Sequence, residues 1–374
     1  KRAVERYREA LDILQSEQSQ DLARALREMG NACCGLRDYE MAQNYFMRSL
    51  ELSEALGDRD GMAASHTGMG HMLSDLGEWD GAVEHYESAA ELLREMGDLR
   101  GAAACTSNIA SVYQMMGDLE KALDVYHDAL QLQERLGDMQ GASKTLNNMG
   151  LVYQHMGEIE AAERNYMRCL EMKEQLGDVH GAANTHINLA TLYEIQRRWD
   201  DAIAHYQDAL ETFEAIGDRR GMAAVMNNLG NVYEEKGDIL QAIKSYRMSM
   251  ELDGGDASIA KISWNLGGLY HRIGDAESAE KCYRASLEAF QSIGDERGAA
   301  YALMGLGSIA LERGLWDAAL DCFKRCAGLR LDTPEALRVL GSIASVYERK
   351  GMWQEALAEY RKVLERFRGI GDSL

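Results

Sequence analysis

The dipeptide Gly-Asp stands at Gly57-Asp58, Gly97-Asp98, Gly137-Asp138, Gly177-Asp178 and Gly217-Asp218, at intervals of 40 residues, and again at Gly294-Asp295 and Gly371-Asp372, at intervals of 77. An interval of 77 is one period of 40 and one of 37. Between these marks runs a second series of glycines: Gly77, Gly117, Gly157, Gly237, Gly274, Gly314 and Gly351. Two breaks per period cut the chain into paired segments. A fixed period of this length is the signature of a repeat architecture, in which each unit packs only on its neighbours. Such an array escapes the limit on a single growing core that 374 residues would otherwise exceed.

The segments between breaks read as helices. Ala, Leu, Met and Glu are abundant and there is one proline, Pro334. The unit from Asp218 to Gly254 shows the logic. Asp218 caps a helix that runs to about Lys236, and Gly237 ends it by taking the left-handed turn. Asp238 starts a second helix that reaches about Leu252. Leu229, Gly230 and Tyr233 share one stripe of the first helix, and Ala242, Tyr246 and Ser249 share one stripe of the second. The small residues let the two backbones approach and the tyrosines fill the space beside them.

This pattern resembles the tetratricopeptide repeat: Leu-Gly-x-x-Tyr, then Ala-x-x-x-Tyr or Phe with a small residue three further on. It is carried by Gly30, Ala42 and Phe46, by Gly70, Ala82 and Tyr86, and by Gly150, Tyr153, Ala162 and Tyr166, and it recurs nine times in all. The resemblance implies an all-α, right-handed superhelical solenoid of about nine repeats from 20 to 370, forming a single array over 1–374. The period is six residues longer than the family's usual 34, and the usual proline near the end of the second helix is missing. In its length and junctions the repeat is similar to the arrays of spindle-orientation adaptors and, less closely, of kinesin light chains; sensor regions of signalling NTPases carry similar arrays. Residues 1–16, with Ala3, Tyr7 and Ala10, read as the second helix of a truncated repeat. The chain stops where another unit would open, which reads as a piece of a longer protein. The two 37-residue steps fall at Leu252–Asp256 and Leu331–Pro334 and predict local changes of pitch rather than domain boundaries.

The formal charge of −21 has a local source. Thirteen of the 61 acids stand at the breaks, where an aspartate caps the next helix and complements its dipole. Without them 48 acids face 40 bases. The remaining excess disfavours nucleic acid, which needs a basic stripe. No apolar run reaches the roughly 18 residues that span a bilayer. Seven cysteines, an odd number without framework spacing, point to free thiols in a reducing cytoplasm.

The resemblance implies that the first helix of each unit lines a concave groove. Two residues before the small residue of that helix stand Asn108, Asn148, Asn188, Asn228 and Asn265, a ladder at the same period. An amide offers donors and acceptors, which suits the backbone of an extended partner peptide, and family members use asparagines at the matching place in this way. The other reading of the ladder is bonding to the neighbouring repeat. Around it, Lys144 and Asn147, then Glu194, Asn227, Asn231 and Glu234, then Lys261, His271 and Arg272 give the groove a polar, an acidic and a basic stretch. Trp264 lies beside Asn265 and is a candidate groove anchor, whereas Trp79, Trp199, Trp316 and Trp353 begin second helices and are expected inside the hairpins. Cys322 and Cys326 are four apart, but Cys326 occupies a small-residue place of the repeat and reads as core. The nine histidines read as scattered over different repeat places. No zinc signature, phosphate loop or nucleophile elbow is present, and neither catalysis, a metal nor a cofactor is expected. The expected function is a non-enzymatic scaffold that binds a protein or peptide in its groove, with no nucleic acid and no membrane. The alternatives are the sensor arm of a larger signalling protein and self-association through uncapped ends.

Overall fold

A computed structural model describes residues 19–253, 255–329 and 333–371. The expected half-repeat over 1–16, the junction residues Gly254, Leu331 and Asp332, and the final Asp372 lie outside them. Among the described residues there are eighteen helices and no strand. The chain divides into two compact units, Lys1–Gln196 and Arg197–Leu374.

The first unit holds α1 (Gln20–Gly35), α2 (Tyr39–Leu56), α3 (Arg59–Leu76), α4 (Trp79–Glu95), α5 (Leu99–Met116), α6 (Leu119–Arg135), α7 (Met139–Met156), α8 (Ile159–Leu176) and α9 (Val179–Ile195). The second holds α10 (Trp199–Ile216), α11 (Arg219–Lys236), α12 (Ile239–Leu252), α13 (Asp256–Arg272) and α14 (Ala276–Ser292). It continues with α15 (Glu296–Glu312), α16 (Trp316–Ala327), α17 (Thr333–Arg349) and α18 (Trp353–Gly371). Within each unit every helix packs against the next, so that each unit is an α-solenoid of antiparallel hairpins.

The breaks work as the sequence implies. At the α5–α6 turn Gly117 takes φ 85°, a conformation in which a Cβ would collide with the backbone. Its amide donates to the Gln114 carbonyl and the Asp118 amide to the Tyr113 carbonyl, which satisfies the open end of α5. The Asp118 carboxylate then accepts from the Lys121 amide at 3.3 Å and opens α6. Among the described residues ten aspartates cap helices in this way, Asp58 on Gly61 and Asp178 on Gly181 among them. The two glutamates at breaks, Glu78 and Glu158, make no side-chain cap. Their extra methylene carries the carboxylate past the amides, so the capping account of the charge holds for aspartate only.

Between the two helices of a hairpin the small residues admit an aromatic ring. A Cβ on Gly150 would stand 2.5 Å from the Tyr166 ring, and one on Gly230 would stand 2.6 Å from Tyr246. Tyr86, Tyr126, Tyr166, Tyr206 and Tyr246, at one repeat place, are all fully buried. Three residues on, a hydroxyl ties the hairpins' helices together: Ser49 donates to the Ala23 carbonyl at 2.7 Å and Ser249 to the Ala223 carbonyl at 2.7 Å. Cys169 and Cys326 fill the same place and are buried, as expected of small core residues. The apolar core is a succession of clusters, each shared by consecutive helices. Trp353 departs from expectation: it is 65 % exposed rather than packed inside its hairpin.

Candidate peptide-binding groove

In the second unit the first helices α11, α13, α15 and α17 line a groove with a cavity of about 950 Å³. The altered junction lies at its edge. The helix α12 stops at Leu252, and Asp253 is extended. The helix α13 begins without a side-chain cap, and Asp253, Ala257 and Ser258 of this junction border the cavity.

Five of the residues expected in the groove line this cavity: Asn227 and Asn231 on α11, and Lys261, Trp264 and Asn265 on α13. Trp264 is 42 % exposed and its ring lies 6.1 Å from that of Tyr301, tilted by 52°. Behind it, the Tyr301 hydroxyl donates to Glu335 at 2.8 Å and Arg297 donates to the same carboxylate at 2.9 Å. The Tyr301 hydrogen bond and the Arg297 guanidinium hold Glu335 below the usual carboxylate range. Trp264 thus stands on a braced wall.

Arg220, Lys261 and Arg338 also line the cavity, all three exposed. Among the described residues none of the three has a carboxylate within ion-pairing distance. The sequence reading missed Arg220, Arg338 and Tyr301. Lys261, Tyr301 and Arg338 share one repeat place, four residues before the ladder place, and reading the register there finds them. Of the expected basic stretch, Lys261 lines the cavity, whereas Arg272 pairs with Glu234 at 3.1 Å and the His271 ring lies 2.9 Å from the Glu312 carboxylate. Glu234 also accepts from the Tyr246 hydroxyl at 3.3 Å, as Asn231 does at 2.6 Å. Burial pushes the Tyr246 phenol up, and the neighbouring Glu234 adds to the shift.

All five ladder asparagines are half-buried. Asn188 donates to the Asn147 carbonyl oxygen at 2.8 Å, one repeat back. The Tyr126 hydroxyl on the preceding second helix bonds Ser111 and Gln114, and that of Tyr246 bonds Asn231 and Glu234. At Asn188 the ladder amide thus joins successive repeats. Asn228 neighbours Asn227 on α11. In the first unit Asn108 lines a smaller cavity of about 430 Å³ with Arg27, Asp60 and His71. Lys144 is exposed on α7 and Glu194 is half-buried on α9. Among the described residues no helix is long and apolar enough to cross a membrane.

Comparison with known proteins gives the following. Models described as tetratricopeptide repeat match residues 21–95, 102–175, 181–253 and 258–332, and a further one matches 339–366. No curated protein matches the chain in sequence. Among solved structures, BtubC (BKLC) from P. vanneervenii is similar at 22% identity and a TM-score of 0.52, over 57% of this chain and 91% of that one. A signal transduction ATPase with numerous domains and a tetratricopeptide repeat sensor, from Pyrococcus horikoshii, is similar at 18% identity and a TM-score of 0.64. That match covers 95% of this chain and 55% of the other. Aspartyl phosphate phosphatase F from Bacillus subtilis is similar at 14% identity and a TM-score of 0.52, over 93% and 94%. At these identities the likeness is one of fold.

Proposed function

This chain belongs to the tetratricopeptide-repeat family, and on that premise we propose that it is a protein-interaction scaffold, without chemistry of its own, whose second-unit groove holds an extended acidic segment of a partner protein. The observation that carries the reading is the meeting of Arg220, Lys261 and Arg338 on one groove, in a chain of net charge −21. Exposed charges contribute little each, about 0.2–1 kcal/mol, so they select the sign of the ligand and speed its arrival. Trp264 supplies the anchor, since a half-exposed tryptophan on a braced wall offers apolar area to one ligand side chain. The amides of Asn227, Asn231 and Asn265 suit the donors and acceptors of an extended backbone.

Selection from a random dodecapeptide display library tests the reading. Recovered peptides should be rich in Asp and Glu around one aromatic or aliphatic residue, and their affinity should fall as salt rises from about 50 to 500 mM. The triple variant Arg220→Glu, Lys261→Glu, Arg338→Glu should lose them. Recovery of basic peptides, or undiminished binding by the triple variant, would overturn it. A second reading, the sensor arm of a larger signalling protein, is favoured by the overlay of 95% of this chain on the archaeal ATPase. On that reading, ligand binding changes the nucleotide turnover of the full-length protein, and turnover indifferent to ligand removes it.

A further inference from the structure

The helix α18 carries an open apolar stripe. Trp353, Leu357, Tyr360, Leu364 and Phe367 are between 41 and 65 % exposed. Their steps of 4, 3, 4 and 3 residues keep all five on one face, with the spacing of a seam between two helices. At the same repeat places of α14, Tyr283, Leu287 and Phe290 are buried, because α15 packs on them. A Cβ on Gly305 of α15 would stand 2.6 Å from the Tyr283 ring, and one on Gly298 would enter the Phe290 ring. Among the described residues no helix covers these places on α18. We propose that α18 is the interface of a symmetric dimer, in which it packs antiparallel on α18 of a second copy of this chain.

The order of side chains along the stripe fits a second copy. Leu357 and Leu364 flank Tyr360, and the aromatic rings of Trp353 and Phe367 stand seven residues away on either side. A two-fold axis at Tyr360 therefore sets Leu357 against Leu364 of the second copy and Trp353 against its Phe367. The stripe is complementary to itself, as an isologous contact requires. The antiparallel sense also places the positive end of each helix dipole beside the negative end of the other. Five side chains of these exposures offer on the order of 600 Å² per copy, about 1,200 Å² for the pair, which reaches the range of specific interfaces. The Tyr360 hydroxyl already donates to Glu348 on α17 at 3.2 Å, so covering the ring leaves no unpaired hydroxyl. None of the residues lining the groove cavity is on α18, so the two surfaces share no residue.

The test is sedimentation equilibrium of the whole chain across a concentration series. The wild type should approach the mass of two chains. The variant Leu357→Glu, Leu364→Glu changes two exposed side chains, should keep wild-type helicity by circular dichroism, and should weaken the dimer at least about 100-fold. Cysteine cross-linking reads the pairing directly and does not depend on that variant. Tyr360→Cys should close on itself under mild oxidation, and Trp353→Cys should join to Phe367→Cys when the two proteins are mixed. Mass spectrometry of the linked peptides separates these bonds from any formed by the seven native cysteines. A monomer at every concentration would overturn the proposal and leave the stripe to a helix of another protein. A dimer unchanged in the folded double variant would also overturn it, as would Trp353→Cys closing on itself, which sets the two helices parallel.

Discussion

Arg37 and Arg197 hold φ 60° and 56°, the conformation that thirteen glycines among the described residues hold at other breaks. An L side chain in this region costs of order 1 kcal/mol. Arg37→Gly should therefore raise the unfolding free energy by about 1 kcal/mol in urea melts, and Gly117→Ala should lower it by at least as much. Gly150→Ala attacks packing instead: its Cβ enters the Tyr166 ring, which has no room to move, and the loss should be about 1–3 kcal/mol. These roles were legible in the sequence because a turn glycine and a capping aspartate act on their own helix, within three or four residues. The failure of Glu78 and Glu158 to cap was not legible, since it depends on one methylene against a fixed set of amides.

At the scale of the helix and hairpin, the 40-residue beat gave the helices and their pairing, because a stripe of small residues and tyrosines recurs in every unit. What it hid was contact between helices 19 residues apart. The histidines look scattered when compared along one helix, yet His66 and His186, and His85 and His205, hold the same repeat places. In α3–α4 the rings of His66, His71 and His85 are all held below the ordinary histidine pKa, with burial the largest cause. Asp75 on α3 and Glu84 on α4 oppose the shift for His71 and His85 without cancelling it. A lowered folded pKa means that the unfolded chain takes protons first. The stability these rings contribute is therefore complete above about pH 6.5 and is lost as pH falls through the folded values. The urea midpoint should drop between about pH 7 and 5, and His66→Leu, His85→Asn should shrink that drop. On α13, Trp264→Ala should leave the melt nearly unchanged while weakening a display-selected acidic peptide about 30-fold, the scale of a binding hot spot. Equal affinity by calorimetry would place the anchor elsewhere.

For the molecule as a whole, neighbour-only packing makes stability local. Gly150→Ala should speed amide exchange in α7, α8 and the helices next to them, and leave α15 and α16 in the second unit as protected as before, by hydrogen–deuterium exchange. Uniform loss of protection would mean that the array unfolds as one body. The repeat number and fold class were open to sequence reading because periodicity is a property of the chain. The cavity lining was less so: Asn227, Asn231, Lys261, Trp264 and Asn265 were anticipated there, but Arg220 and Arg338 reach the cavity only through the packing of α11 and α17. A Gly-Asp break such as Gly97-Asp98 is also closed by its own residues, with glycine sealing the helix before and aspartate the helix after. Excising residues 98–137 would set Gly97 against Asp138, recreate the dipeptide and leave every other cap bonded as before. Unequal crossing-over between the repeats of such a gene can thus lengthen or shorten the array by whole periods without a compensating mutation, which makes the reach of the scaffold an inherited variable separate from its foldability.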